Sequence, residues 1–286
     1  MKIVYICGLG HSGSTILDMA LGAHPCIVGL GEVNQVLKAE KADFQSQEFT
    51  DILCSCGHNM QGCLFWSKVR DNILQSEPTS LTSKYEDLLA IFSSTFGKDK
   101  ILVDSSKDLP PYLLDLNKNH DLKIVFLVRD FRSWSYSIHK KKNKKIFTLP
   151  LRWRRKNNKL LSFLKKNDLD YFMLGYEEFA LYPDIMLEYL CRYIGVEFNE
   201  CMLRPAGSAS HVIRGNSGRA DPDKTQAIRY DARWMASTGA AWLNFLYFPL
   251  IAYNNRMVFS NFLQQQVHSK DSGMKNFLIF NNRKKI

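Results

Sequence analysis

Apolar, β-prone stretches alternate along the chain with stretches whose apolar residues recur at helical spacing. Ile3 to Cys7 precedes a helical pattern over Ser14 to Leu21, and Lys100 to Val103 precedes one over Pro111 to Leu116. The order recurs at Lys123 to Val128 with Ser133 to Ile138, and at Asp170 to Leu174 with Pro183 to Ile194. Four strand-then-helix units predict an α/β fold, a parallel sheet flanked by helices in three layers. Ligands of such sheets bind beyond the carboxyl ends of the strands, so the residues just after each strand are the first candidates for chemistry.

Between the first and second units lies an insertion, about residues 32 to 96, with two helical patterns and a cysteine cluster. After Pro205 a loop rich in Gly, Ser and Asn leads to an aromatic helical pattern near Trp242 to Phe259. The longest apolar stretch, Ala241 to Tyr253, is interrupted by Asn244 and Pro249 and falls short of the ~20 residues a membrane helix needs. The expectation is a single domain over residues 1 to 268 and a polar, basic tail over 269 to 286 with the composition of a disordered end. Lys2 ahead of an apolar run has the look of a short export signal. Turn glycines follow at once without a small-residue cleavage site, so the run reads as a buried first strand. A cytoplasmic protein is expected, where thiols stay reduced and an odd count of seven cysteines raises no pairing problem.

With 286 residues, 45% of them apolar and 23% charged, the chain has the composition of a globular domain and not of a disordered, collagen-like or coiled-coil protein. Charge changes the picture more. Lys plus Arg exceed Asp plus Glu by ten, and thirteen of those cations lie between Asp130 and Asp168, where there is no acidic residue. They run from Arg132 through Lys140, Lys141, Lys142, Lys144 and Lys145 to Lys166. Such a run is either a solvated surface or the footprint of an anionic partner such as an acidic glycan, a lipid headgroup or nucleic acid.

Gly8-Leu9-Gly10-His11-Ser12-Gly13-Ser14-Thr15 follows a strand and opens a helix, the context in which a glycine-rich loop wraps a phosphate with its backbone N–H groups. Gly8 and Gly13 have the spacing of a nucleotide-triphosphate loop, but Ser14 stands where its lysine belongs, which weakens an ATPase or GTPase reading. A second segment ends a buried strand at Arg129 and carries Ser137 about two helical turns further on, so both can converge on one anion. Arg129 can equally pair with a carboxylate such as Asp130 or Asp104.

Taken together, these residues resemble the PAPS-dependent sulfotransferases of bacterial type. Gly10, His11, Ser12, Gly13, Ser14 and Thr15 are similar to that family's loop for the 5′-phosphosulfate, and Arg129 with Ser137 to its 3′-phosphate pair. Three further pieces agree in order: Ala23-His24-Pro25 running to Gly31-Glu32, Val103-Asp104-Ser105-Ser106-Lys107, and Tyr176-Glu177-Glu178-Phe179 with Pro183 and Tyr193-Ile194-Gly195. The likeness covers about residues 1 to 200, with a weaker echo at His211 to Asn216. It implies a P-loop-like fold and transfer of the sulfuryl group of 3′-phosphoadenosine 5′-phosphosulfate (PAPS) to a hydroxyl or amine, releasing PAP, with no metal.

The resemblance places Glu32 where the catalytic Glu stands in the tyrosylprotein branch; a charge favouring the start of the Val33 to Leu37 helix is its other role. Lys107 is implied to bridge the sulfate and the leaving oxygen, and Asp104 to orient Lys107 or the loop. His11 departs from the family, where Lys or Arg is commoner, and its leaving-group role depends on its charge. Arg214, Gly215, Asn216 and Arg219 are suited to covering a phosphate. Following the Arg129–Ser137 helix outward, the basic run is expected to act on an incoming acceptor and not on the donor. The acceptor expected is a carbohydrate, small molecule, anionic glycan or lipid. Nucleic acid is not required, and peripheral contact with a membrane is compatible. The competing readings are an ATP-using kinase with Asp104 on a metal, and a non-enzymatic polyanion binder.

Cys54, Cys56, His58 and Cys63 fall within ten residues, followed by Phe65-Trp66. They form either a structural zinc set or free, redox-labile thiols; Cys-x-Cys-x-His crowds its ligands and lacks the usual paired spacing. Similar cysteine and tryptophan segments in bacterial-type sulfotransferases imply a structural or acceptor-lid role.

Overall fold

The computed structural model describes residues 1–77, 80–214 and 226–262. The predicted tail over 269–286 lies outside the described residues. Five strands, β1 (Lys2–Gly8), β2 (Ile27–Gly29), β3 (Ile101–Lys107), β4 (Asp121–Val128) and β5 (Tyr171–Gly175), form one sheet in the order β2-β3-β1-β4-β5. Every pairing is parallel. Four of the strands were expected. The three-residue β2 is too short to show a period and is seen only through its pairing with β3.

The pleat of β1 explains the three layers. Ile3, Tyr5 and Cys7 point to one face, and Val4 and Ile6 to the other, all fully buried. On the second face lie α1 (Ser14–Gly22) and, later in the chain, the helices Tyr176–Leu181 and Pro183–Ile194. The first face carries the insertion, which folds as α2 (Val33–Leu37), α3 (Lys41–Gln45), α4 (Gln47–Thr50), α5 (Trp66–Gln75) and α6 (Leu81–Phe96). Two of these were legible as helical patterns; the other three are single turns. That face also carries α7 (Tyr112–Asn119), α8 (Phe131–Lys142) and α9 (Leu149–Lys166).

Two departures from expectation affect the surface. The basic run is not one helix: Asn143, at φ 47°, ends α8, and the run resumes in α9. The latter buries Leu149, Trp153, Asn157 and Leu164 while Arg152, Arg154 and Arg155 stay exposed. The aromatic pattern near the end likewise splits into Thr238–Leu246 and Phe248–Val258, with Pro249 in the first turn of the second. Among the described residues no helix is long and apolar enough to cross a membrane.

The second of these helices is seated directly on the end of β5. A Cβ at Gly175 would come within 1.7 Å of the Val258 carbonyl oxygen, a backbone atom that cannot swing aside. Gly175→Ala should therefore destabilise the fold by about 1–3 kcal/mol, the usual cost of overpacking, read as a lowered denaturation midpoint. An unchanged midpoint would mean that this helix is not held there.

Candidate functional site

Because the strands are parallel, Gly8, Gly29, Lys107, Val128 and Gly175 all end at one edge of the sheet, and the candidate residues collect there. The loop after β1 turns into α1 through Gly13, at φ 94°. A side chain at that position would be strained and would meet the Tyr176 ring at 2.5 Å. The first turn of α1 carries no acidic residue, so nothing offsets the positive end of the helix. His11, at φ 72°, and Lys107, at φ 73°, are both held in the left-handed region that non-glycine residues avoid.

Arg129 leaves the end of β4 with its guanidinium almost fully engaged. Nε donates to Ser133 Oγ (2.7 Å), one terminal nitrogen to the His11 carbonyl (3.0 Å) and the other to Asp231 (3.0 Å). The plane lies over the Tyr176 ring, 4.6 Å from its centroid. Ser137 Oγ is 3.5 Å from His11 Nδ1, so Arg129 and Ser137 do converge, on the two ends of His11. The carboxylate facing Arg129 is neither Asp130, which pairs with Arg132, nor Asp104, but Asp231. Asp231 is held well below the usual carboxylate range, first by the Arg233 hydrogen bond and then by Arg129.

Glu32 and Lys107, 75 residues apart, meet as an ion pair, and Gln35 donates to the other Glu32 oxygen. The Glu32 side chain is 8% exposed and that of Lys107 18%. Glu32 stands at the start of α2 without a side-chain cap hydrogen bond, its carboxylate being taken up by Lys107 and Gln35. Positive charge links the pair to the loop. His11 is pushed down to about 4, first by burial and then by Lys141, Lys142, Lys107 and Arg129. It is a neutral imidazole at neutral pH, a hydrogen-bonding group and not a cation. Lys141 and Lys142 are thus among the charges that disfavour a protonated His11.

Buried polar groups hold this frame. Asp104 is fully buried and accepts from Tyr85 Oη (3.0 Å), from the Ser106 backbone (2.9 Å) and from Ser106 Oγ. Ser106 Oγ in turn accepts from the Asn34 N–H (2.8 Å), so Asp104 positions α2 and Glu32 in preference to Lys107. With its oxygens occupied inside the fold, Asp104 is not placed to hold a nucleotide-bound metal. Asp18 accepts from the Gly31 N–H (3.1 Å), directly beside Glu32. His24 is a packing histidine, bonded to the Glu197 carbonyl and the Cys26 N–H.

Arg214 ends the described segment. Its guanidinium lies 4.6 Å from the Phe49 ring centroid; Gly215, Asn216 and Arg219 lie outside the described residues. Four contributors were missed from sequence: Gln35, Asp18, Tyr176 as a platform for Arg129, and Asp231. Gln35 had a signal, three residues after Glu32 on one helix; Asp231, 102 residues from Arg129, had none.

The sulfotransferase family model matches residues 4–200. The chain belongs to the sulfotransferase family. The sulfotransferase domain of the Synechococcus PCC 7002 olefin synthase is similar in fold, with 20% identity, a TM-score of 0.56 and coverage of 86% of this chain and 94% of that one. The sulfotransferase domain from the curacin biosynthetic pathway gives 18% identity, a TM-score of 0.54 and coverage of 86% and 97%. A search of curated proteins found no match. The chain is thus a sulfotransferase, and its strand-end edge is the candidate active site.

The buried carboxyls make a prediction. Burial pushes Asp18 and Asp104 from 3.8 up to about 7. Folding therefore binds protons that the unfolded chain releases between pH about 4 and about 7. The unfolding free energy contributed by these groups falls as pH rises through that window and levels off above it. Asp18→Asn, whose Oδ1 can still accept from Gly31, should flatten part of that fall in denaturant titrations. A slope identical to that of the unaltered protein would overturn the assignment.

Proposed function

We propose that this sulfotransferase uses PAPS as donor and transfers its sulfuryl group in line to an acceptor hydroxyl or amine, with Glu32 as general base. One observation carries the reading: residues from four distant segments meet at the strand-end edge, Glu32 against Lys107, and His11 against Arg129 and Ser137. PAPS supplies a sulfuryl group already bonded to a phosphate leaving group, so breaking that S–O bond and forming an S–O or S–N bond to the acceptor needs no metal.

The chain's own residues supply position and charge, the main needs of a loose transfer. Glu32, held by Gln35 and Lys107, takes the acceptor proton. Lys107 stabilises negative charge on the leaving oxygen as a mobile point charge. Gly10 to Thr15 receive the 5′-phosphosulfate, with His11 serving as a neutral hydrogen-bonding group. Arg129 and Ser137 take the 3′-phosphate, and Asp231 occupies the Arg129 fork until that phosphate competes for it.

An exposed surface supports a choice of acceptor class. Exposed Trp242, Phe245 and Phe248 adjoin Phe147 through the bond from Tyr247 Oη to the Phe147 carbonyl, next to Lys144 and Lys145. A surface that is apolar and cationic side by side supports an amphiphilic acceptor bearing negative charge, such as an anionic glycolipid, over a neutral sugar.

Glu32→Gln should lower kcat by about 10²–10⁴ while PAP affinity, read by calorimetry, stays nearly unchanged, because the base acts on the acceptor. PAP should also raise the melting temperature far more than ATP with magnesium does; equal stabilisation by the two would overturn the donor assignment. A second prediction separates the basic residues. Lys141→Gln with Lys142→Gln should weaken PAP binding several-fold, since both charges are felt at His11. Lys144→Gln with Lys145→Gln should leave PAP binding alone and weaken an anionic acceptor. Identical effects of the two pairs on PAP would refute the division.

A further inference from the structure

The cysteine cluster of the insertion closes on a residue that sequence spacing did not offer. Cys54, Cys56, Cys63 and His211 place their donor atoms all within 4.8 Å of one another. His211 Nδ1 is 3.1 Å from Cys63 Sγ and 3.9 Å from Cys54 Sγ, and those two sulfurs are 3.7 Å apart. All the thiols are free. His58, the imidazole close in sequence, reaches Cys56 at 3.8 Å but is not one of the four.

We propose that Cys54, Cys56, Cys63 and His211 bind one structural zinc ion. A tetrahedral ion with Zn–S of about 2.3 Å and Zn–N of about 2.0 Å has S–S edges of ~3.8 Å and S–N edges of ~3.5 Å. The observed S–S separation matches the first edge, and the two S–N separations bracket the second. Three thiolates and one imidazole form a closed zinc set with no position left for substrate.

The surroundings hold the donors in place. The His211 ring is fixed against Phe96 (centroids 5.2 Å apart), and its carbonyl accepts from Trp66 Nε1 (2.6 Å). Ser55, inside the cysteine loop, exchanges hydrogen bonds with the backbone of Ser210 and Val212.

The ion would staple the insertion to the segment that extends the sheet edge at the base. The His211 N–H donates to the Gly29 carbonyl (2.8 Å), that of Ile213 to Leu30 (3.2 Å), and the Ile213 carbonyl accepts from the Glu32 N–H (3.3 Å). Only Val212 thus separates the ligand His211 from Ile213, whose carbonyl fixes the Glu32 backbone. The zinc site acts by positioning and is independent of which donor the enzyme uses.

The test is the metal content of the full chain, purified under reducing conditions and measured by inductively coupled plasma mass spectrometry. One zinc per chain is expected. His211→Ala and Cys63→Ser should lose at least about nine-tenths of it, and His58→Ala should keep it. Should the loss variants fail to fold, cobalt added to the unaltered chain after zinc removal settles the matter. Three thiolates give the intense charge-transfer and visible bands of a tetrahedral cobalt site. Negligible zinc after reconstitution, an octahedral cobalt spectrum, or loss of zinc in His58→Ala with retention in His211→Ala would each overturn the proposal. Zinc removal should also lower kcat while leaving PAP affinity unchanged, an effect that a remote, purely local staple would not produce.

Discussion

An ion pair largely shut away from water stands at the centre of this structure. Burying Glu32 against Lys107 costs both groups their hydration, and attraction at close range repays that only when the remaining hydrogen-bonding capacity is met. Gln35 meets part of it. The rest of the strand-end edge fixes the backbone beneath both charges: Lys107 sits in a left-handed conformation at the end of β3, and Glu32 follows a backbone fixed from both sides. A sequence optimised for stability alone would place apolar residues here. Retaining the pair, with backbone strain beside it, fits a site where charge must be ready in advance.

The layers were legible because they rest on period. The alternation of Ile3, Tyr5 and Cys7 with Val4 and Ile6 appears in the sequence as a continuous apolar run, the mark of a strand covered on both faces. The glycine-rich turn between β1 and α1 was legible because its glycines, its strand and its helix are contiguous. Much of what stayed hidden depends on contacts between residues far apart along the chain. β2 is three residues held by pairing, Asp231 finds Arg129 across 102 positions, and His211 replaces His58 beside the cysteines across 148. Local spacing selects the nearest imidazole, whereas the fold selects the one whose backbone is already hydrogen-bonded to the sheet edge.

Motif residues and working residues also separate. Within Tyr176-Glu177-Glu178-Phe179, Glu177 accepts from the Asp130 N–H at the start of α8, and Glu178 anchors Asn261 and Phe262. Only Tyr176 reaches the site, as the surface on which the Arg129 guanidinium lies and against which Gly13 has no room for a side chain. The rest of the motif thus secures the elements that carry the candidate site.

Asp231 gives the arrangement its last constraint. A guanidinium almost fully buried beside Tyr176 would be costly with a terminal nitrogen unpaired, and Asp231 removes that cost. The same carboxylate takes two hydrogen bonds from the Arg233 guanidinium, at 2.7 and 2.9 Å, so it is not left unpartnered if Arg129 turns to another anion. An arginine that exchanges one satisfied partner for another can bind a phosphate without first being stripped of water. Arg129, Asp231 and Arg233 thus form one internally satisfied ion cluster just after the end of β4.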